Sequence, residues 1–241
     1  MKKIEMQADL EFFEEIRQLL HYHNIVSISG ESGTGKTTLA LHLIGNLLTQ
    51  KKPYIASCIW IQASERFPIK RLTQIFEDTS KRLEYIKNNT YLLPQKGLIH
   101  TYEEQISRIR KIIDLTSNNP PSLKYIVIDN ISHHLRYKLT QFNNPKDILP
   151  ILDDFYETQL MPLILFCKRN EISLILIHEV TYIPTLQKIR PFFYKLYDRI
   201  KTIDIVLSKF NNNKKMILDL FFNELKWTFQ FSLEQKGIIM I

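Results

Sequence analysis

The 241-residue sequence predicts an α/β protein with a largely parallel central sheet, helices on both faces and antiparallel strands at the C-terminal end. Three observations carry this expectation. Short apolar runs alternate with segments of helical periodicity, as parallel strands covered on both sides require. A glycine-rich octet stands at one strand-to-helix junction, where such sheets place their ligands. The last two strand-like segments are separated only by a short polar turn, which joins neighbouring strands antiparallel.

Residues 10–21 repeat apolar side chains at helical spacing (Leu10, Phe13, Ile16, Leu19, Leu20) and lead into a buried strand at 25–29. Further strands are expected at Tyr54–Ile61, Tyr125–Ile128, Ile172–Ile177 and Ile203–Leu207, with helices over 37–49, 69–87, 102–115 and 147–169. Met216–Phe222 and Trp227–Phe231, joined at Asn223 and Glu224, supply the antiparallel end. The polar stretches 88–95, 117–121 and 141–146 read as surface loops, and none has the composition of an interdomain linker. The expected division is a helical lead-in over 1–22 and one core domain over 23–241.

Composition narrows the class. With 44% hydrophobic residues, 24% charged, six glycines and ten prolines, the chain is neither disordered nor collagen-like and is long enough to bury a large core. Two cysteines in apolar surroundings, Cys58 and Cys167, make neither a disulfide framework nor a structural zinc site, which fits a reducing compartment. The basic start is followed by Asp9, Glu11, Glu14 and Glu15 where a signal peptide would be apolar, and no run approaches a membrane span. The expected location is intracellular: cytoplasmic in a prokaryote or archaeon, nuclear in a eukaryote. A net charge of +7 spread over the chain permits a polyanion partner without pointing to one.

Chemistry concentrates at Gly30-Glu31-Ser32-Gly33-Thr34-Gly35-Lys36-Thr37, which matches G-x-x-x-x-G-K-S/T directly after a strand and at the start of a helix, with Thr38 following. Three of the six glycines fall in this octet. Glycines let the backbone turn its amides toward a polyphosphate, and the helix N-terminus favours its charge. Lys36 is expected on the β and γ phosphates, and Thr37 is expected to place its hydroxyl on Mg²⁺. Tyr125-Ile126-Val127-Ile128-Asp129 ends a buried strand on an acid, so Asp129 is the expected second Mg²⁺ ligand; alone, such an acid would read equally as a strand-ending turn.

The segment Tyr125–Arg136 resembles the Walker B region of the RecA/Rad51 recombinase superfamily, including its following arginine. Ile61–Leu72, with an acid before Phe67-Pro68-x-x-Arg71-Leu72, is similar to that family's second strand and helix. Ile175–Val180 is similar to the strand that ordinarily ends in Asn-Gln-Val, and Phe231–Ile238 to the closing strand and turn. The likeness covers roughly residues 20–238 and leaves no room for the N-terminal helical domain of full recombinases. The resemblance therefore implies a RecA-type P-loop NTPase core standing alone, like archaeal RadB or the eukaryotic Rad51 paralogues. It implies ATP and Mg²⁺ as cofactors, single-stranded DNA and a full-length recombinase or other paralogues as partners, and no membrane. No F-x-x-A polymerisation sequence is present, so a dimer or hetero-oligomer is expected in place of long filaments.

Departures from the family pattern bear on activity. The glutamate that would orient the attacking water aligns with Ser64, and Glu65 comes one residue late; on an alternating strand that offset points a carboxylate to the wrong side unless a bend re-aims it. Glu65 reads either as the catalytic acid or as a helix-start acid, and Ser64 as an N-cap. The nucleotide-sensing Asn-Gln pair is replaced by His178-Glu179. His178 could act as a sensor donating to phosphate or be a strand-end histidine satisfied by backbone; Glu179, grouped with Lys36 and Glu65 as catalytic, would repel a γ-phosphate unless paired with a cation. His133 and His134 lack neighbours of metal-ligand spacing.

Residues 188–215 carry eight bases, among them Lys188, Arg190, Lys195 and Arg199, interleaved with Phe192, Phe193, Tyr194 and Tyr197. The mixture suits single-stranded DNA, where cations meet phosphates and rings stack on bases; it also suits a solvated face over a core. Arg136 and Lys138 match the family's first DNA loop by position. The expected function is a weakly hydrolysing ATP-binding paralogue that assists recombination and repair on single-stranded DNA. The alternatives are a DNA-independent P-loop ATPase and a non-catalytic ATP-binding subunit.

Overall fold

The computed structural model describes residues 2–50, 52, 54–114, 119–142, 144–184, 188–210 and 215–241. Nine strands form one sheet. In chain order they are β1 (Ile25–Gly30), β2 (Ser57–Gln62), β3 (Thr90–Leu93), β4 (Leu123–Asp129), β5 (Ser173–His178), β8 (Ile203–Lys209), β9 (Lys215–Phe222), β10 (Leu225–Glu234) and β11 (Gly237–Met240). A separate antiparallel hairpin holds β6 (Val180–Ile183) and β7 (Lys188–Pro191). Across the sheet the order is β11-β10-β9-β8-β1-β5-β4-β2-β3. From β8 to β3 every pairing is parallel, and from β8 outward to β11 every pairing is antiparallel. The α/β architecture with an antiparallel C-terminal end is thus the one the alternation of patterns predicted.

Period-2 alternation divides the central strands between two cores. Val26, Ile28, Cys58, Trp60, Val127, Ile175 and Ile177 face one side, where they meet Phe12, Ile16 and Leu19 of α1 (Lys2–Tyr22) and the buried stripe of α2 (Lys36–Leu48). Ile25, Ile59, Ile61, Ile126, Ile128, Leu174 and Leu176 face the other side, against α5 (Tyr102–Asp114), α6 (His133–Leu139), α7 (Pro145–Phe155) and α8 (Met161–Arg169). These strands are apolar at nearly every position because both faces are covered. Both cysteines are free and buried, and burial pushes the Cys58 thiol far up and the Cys167 thiol to about 12.

Several boundaries differ from expectation. The helix expected over 69–87 is two, α3 (Ile69–Ile75) and α4 (Ser80–Asn88), and the run expected over 147–169 passes through a π-helical turn at Tyr156–Leu160. The stretch 88–95, expected as a loop, contains β3, an edge strand paired with β2. Four residues are too few to display a period, so this strand is made legible only by its partner. Gln141–Lys146, also expected as a loop, ends in the first turn of α7, which Asn144 caps by accepting from the Lys146 amide at 3.0 Å.

Candidate functional site

The site lies where the parallel strands end. Strand β5 runs between β1 and β4, so the loop after β1, Glu179 after β5 and Asp129 at the tip of β4 arrive side by side, with Ser64 and Glu65 beyond them after β2. Together they line a cleft of about 720 Å³. This is the carboxyl-end crevice in which open α/β sheets hold ligands.

The loop conformation follows from its glycines. A Cβ on Gly30 would meet the Leu207 carbonyl oxygen at 2.5 Å, so only glycine lets β1 leave the sheet beside β8 at this point. Gly35 has φ +90, a left-handed conformation that turns the chain into α2, and a Cβ there would crowd Leu233 at 3.1 Å. Thr34, fully buried, closes the turn by donating its hydroxyl to the Glu31 carbonyl at 2.9 Å. The Lys36 ammonium reaches back along the loop to the carbonyls of Gly30 at 2.8 Å and Glu31 at 2.9 Å. Burial lowers its pKa, opposed in turn by Asp129, Glu179 and Glu65.

Thr37 joins the two halves of the site. Its hydroxyl donates to Asp129 Oδ2 at 2.9 Å, ninety-two residues away in sequence. Asp129 is 6% exposed, and burial raises its pKa to about 6; Glu65 adds to the rise, while the Thr37 hydrogen bond and Lys36 oppose it. A buried carboxylate beside a hydroxyl is a hard-oxygen pair that a divalent cation stabilises, so these residues fit Mg²⁺, and the glycine cradle with Lys36 fits a polyphosphate.

Around this centre, Asp129 accepts at its carbonyl from the amides of Ala63 at 2.8 Å and Ser64 at 3.0 Å, which fixes the end of β2 against β4. Residues 63–65 bend after β2, so strand alternation stops at Gln62 and both Ser64 and Glu65 reach the cleft wall. Glu179 is paired, as a carboxylate in this position requires. It accepts from Arg136 Nη1 at 2.7 Å and Asn130 Nδ2 at 2.9 Å, with His133 Nδ1 at 3.8 Å. Asn130, His133, Phe192 and Leu233 line the cleft although the sequence did not single them out for it. For Asn130 and His133 the usable signal was adjacency to Asp129; Leu233 comes from β10 and had none.

Two expectations are corrected. His178, expected as a phosphate sensor, is not on the cleft wall: it is 0% exposed and packs edge-on against Tyr197 at 4.3 Å with neither ring nitrogen hydrogen-bonded. Glu179, the next residue, takes the cleft side because neighbours on an extended chain alternate. Arg136 and Lys138 lie on helix α6, not on a loop. Arg136 turns into the cleft, and Lys138 pairs with Glu103 at 2.8 Å.

The stretch 188–215 is likewise no single basic loop. It runs through β7, α9 (Tyr194–Tyr197) and β8, with 211–214 outside the described residues. Arg190 pairs with Asp198 at 3.7 Å and lies over the Tyr194 ring; Arg199 pairs with Asp153 at 3.3 Å and lies over Tyr156. Lys195 is exposed, and the Lys188 side chain falls outside the described residues. Phe193 adopts φ 60, a left-handed backbone conformation.

Residues 12–176, more than half of the chain, match the AAA domain family. The chain belongs to that family. The AAA match runs from within α1 into β5 and so includes the phosphate loop, Thr37 and Asp129. The chain is also similar to DNA repair protein RAD57 of Saccharomyces cerevisiae, 29% identical over 136 residues. That stretch is 55% of this chain and 29% of the yeast protein, so the chain spans less than a third of that relative's length. No helix among the described residues is long and apolar enough to cross a membrane.

Proposed function

We propose that this AAA domain binds Mg-ATP and turns it over slowly, as a RecA/Rad51-like paralogue that assists recombinational DNA repair. The observation that carries the nucleotide reading is the 2.9 Å hydrogen bond from Thr37 to Asp129, which unites the phosphate loop and the strand-end acid in one Mg²⁺-competent pair. Gly30–Thr38 would hold the phosphates, with Lys36 on the β and γ groups. Mg²⁺, when bound, would neutralise phosphate charge. Glu65 supports slow turnover, because it reaches the cleft but stands beside Ser64, which occupies the aligned position. The name of the yeast relative supports a repair role.

Single-stranded DNA is the proposed polyanion, met by Lys138, Lys188, Arg190, Lys195 and Arg199, with a full-length recombinase or other paralogue as protein partner in a dimer or hetero-oligomer. One observation favours a second reading, a DNA-independent nucleotide-binding subunit: Lys138, Arg190 and Arg199 each already face an acid.

Thermal denaturation with Mg-ATP, with ATP plus EDTA and with neither tests the nucleotide reading. Ligand that binds the folded state at about 100 times its Kd stabilises by about 2.7 kcal/mol, a shift of several degrees. Mg-ATP is expected to give that shift and ATP plus EDTA much less, because four acids line the cleft (Glu31, Glu65, Asp129, Glu179) against two bases (Lys36, Arg136) among the described residues. Lys36→Ala is expected to abolish the shift; an equal shift in that variant counts against the loop as the phosphate site. Turnover measured with and without an oligonucleotide then separates the two readings.

A further inference from the structure

Arg136 sits where the phosphate loop supplies no cation. It stands on α6, lines the same cleft as Lys36 and Asp129, and donates to Glu179 Oε2 at 2.7 Å. Its guanidinium carbon lies 4.5 Å from the centroid of the Phe192 ring. Glu179 is in turn tied to the hairpin, since its carbonyl accepts from the Phe192 amide at 2.9 Å. Phe192 also lines a second, largely apolar cleft of about 440 Å³ between α7 and the hairpin. One arginine is therefore held by a carboxylate and an aromatic ring that are themselves connected.

That carboxylate is close enough to Lys36 to act on its charge, and Lys36 is the group expected on the β and γ phosphates. A terminal phosphate entering between them meets Glu179 as a like charge and Arg136 as an opposite one. A guanidinium has five donors in a fixed fork and pairs with phosphate bidentately, and among the described residues Glu179 is its one hydrogen-bonded acceptor. Phosphate, with more charge and three oxygens, is the stronger claimant.

We propose that Arg136 is a specificity-determining residue that exchanges Glu179 for the terminal phosphate of a nucleoside triphosphate, and that the β6–β7 hairpin registers the exchange through Phe192. The proposal rests on the nucleotide reading above. It predicts discrimination of triphosphate from diphosphate, because the terminal phosphate is the group the arginine would take. It also makes Arg136 a reader of nucleotide in place of a DNA contact.

The test compares binding of Mg-AMP-PNP and Mg-ADP to the unaltered protein, Arg136→Ala, Glu179→Gln and the double variant, by calorimetry. Arg136→Ala is expected to weaken Mg-AMP-PNP about tenfold or more while leaving Mg-ADP within about threefold, as loss of a charge-assisted pair predicts. Arg136→Ala alone also unmasks Glu179, so the double variant decides. It is expected to bind Mg-AMP-PNP about tenfold more weakly than Glu179→Gln does. Equal affinity of those two would overturn the proposal, since the arginine would then only have been shielding the acid. Amide exchange at Val180–Ile183 and Phe192 is expected to differ between the AMP-PNP and ADP complexes of the unaltered protein and to be the same for both in Arg136→Ala; no difference in the unaltered protein overturns the hairpin's part. Failure of the unaltered protein to bind Mg-ADP would instead sink the nucleotide reading, and the proposal with it.

Discussion

At the scale of single residues, the cleft separates side chains by which way a strand end turns them. Glu179 and His178 are consecutive, yet one carries a charge in the cleft and the other is sealed in the core. His178 is the clearer case of cost. Burial lowers its pKa to about 3 from the ordinary 6.5, so the folded state resists a proton that the unfolded chain accepts. The unfolded state then binds more protons between about pH 6.5 and 3, and the stability present above pH 6.5 is lost as pH falls through that window. His178→Phe keeps the edge-on packing against Tyr197 and removes both unpartnered nitrogens. It is expected to flatten the acid-side loss by a few kcal/mol, read as urea midpoints at pH 7 and pH 4.5. A variant that loses stability with acid as steeply as the parent would show that His178 is not the responsible group. The sequence offered His178 as a sensor and Glu179 as a catalytic acid, but whether a strand-end residue faces the cleft depends on where pairing stops, and Ile177 accepting from the Ile131 amide settles that only in three dimensions.

At the scale of elements, α1 is part of the sheet's cover. Phe12 and Ile16 are 0% exposed in the core that faces α2, and Phe12 meets Phe229 of β10 edge-on at 5.3 Å. Phe12→Ala is therefore expected to cost about 3–5 kcal/mol, as emptying a large aromatic site does elsewhere. Urea denaturation measures this; a loss under about 1 kcal/mol would mean that α1 packs loosely and the core stands without it. Long elements were legible in advance because ten or more residues display their period, as α2 and α5 do. The short ones were not. β3, α6 and the β6–β7 hairpin have four to seven residues per element, mix polar with apolar side chains, and exist because a neighbour pairs with or packs on them. The π-helical turn at Tyr156–Leu160 lay within a run that reads as uninterrupted helix.

For the whole molecule, charge is arranged in pairs more than in patches. The excess of seven positive charges is spread, and Arg190 and Arg199, two of the bases expected to meet DNA, face Asp198 and Asp153. Those acids oppose the phosphates of an oligonucleotide at these positions. Asp153→Asn with Asp198→Asn is therefore expected to raise affinity for a single-stranded oligonucleotide severalfold at low salt and to steepen its salt dependence, measured by fluorescence anisotropy. Unchanged binding would remove both arginines from the interface. The sequence by itself determined the α/β class, the glycine cradle with Lys36 and Thr37, and the acid at 129, because each is written in local pattern: a period, a turn that only glycine makes, an apolar run ending in a carboxylate. Tertiary structure alone decided that Thr37 meets Asp129, that Glu179 is neutralised by Arg136, and that Lys138, Arg190 and Arg199 already face acids. Those are contacts between residues far apart in the chain, fixed by strand order and by burial, and neither quantity is carried by any window of sequence.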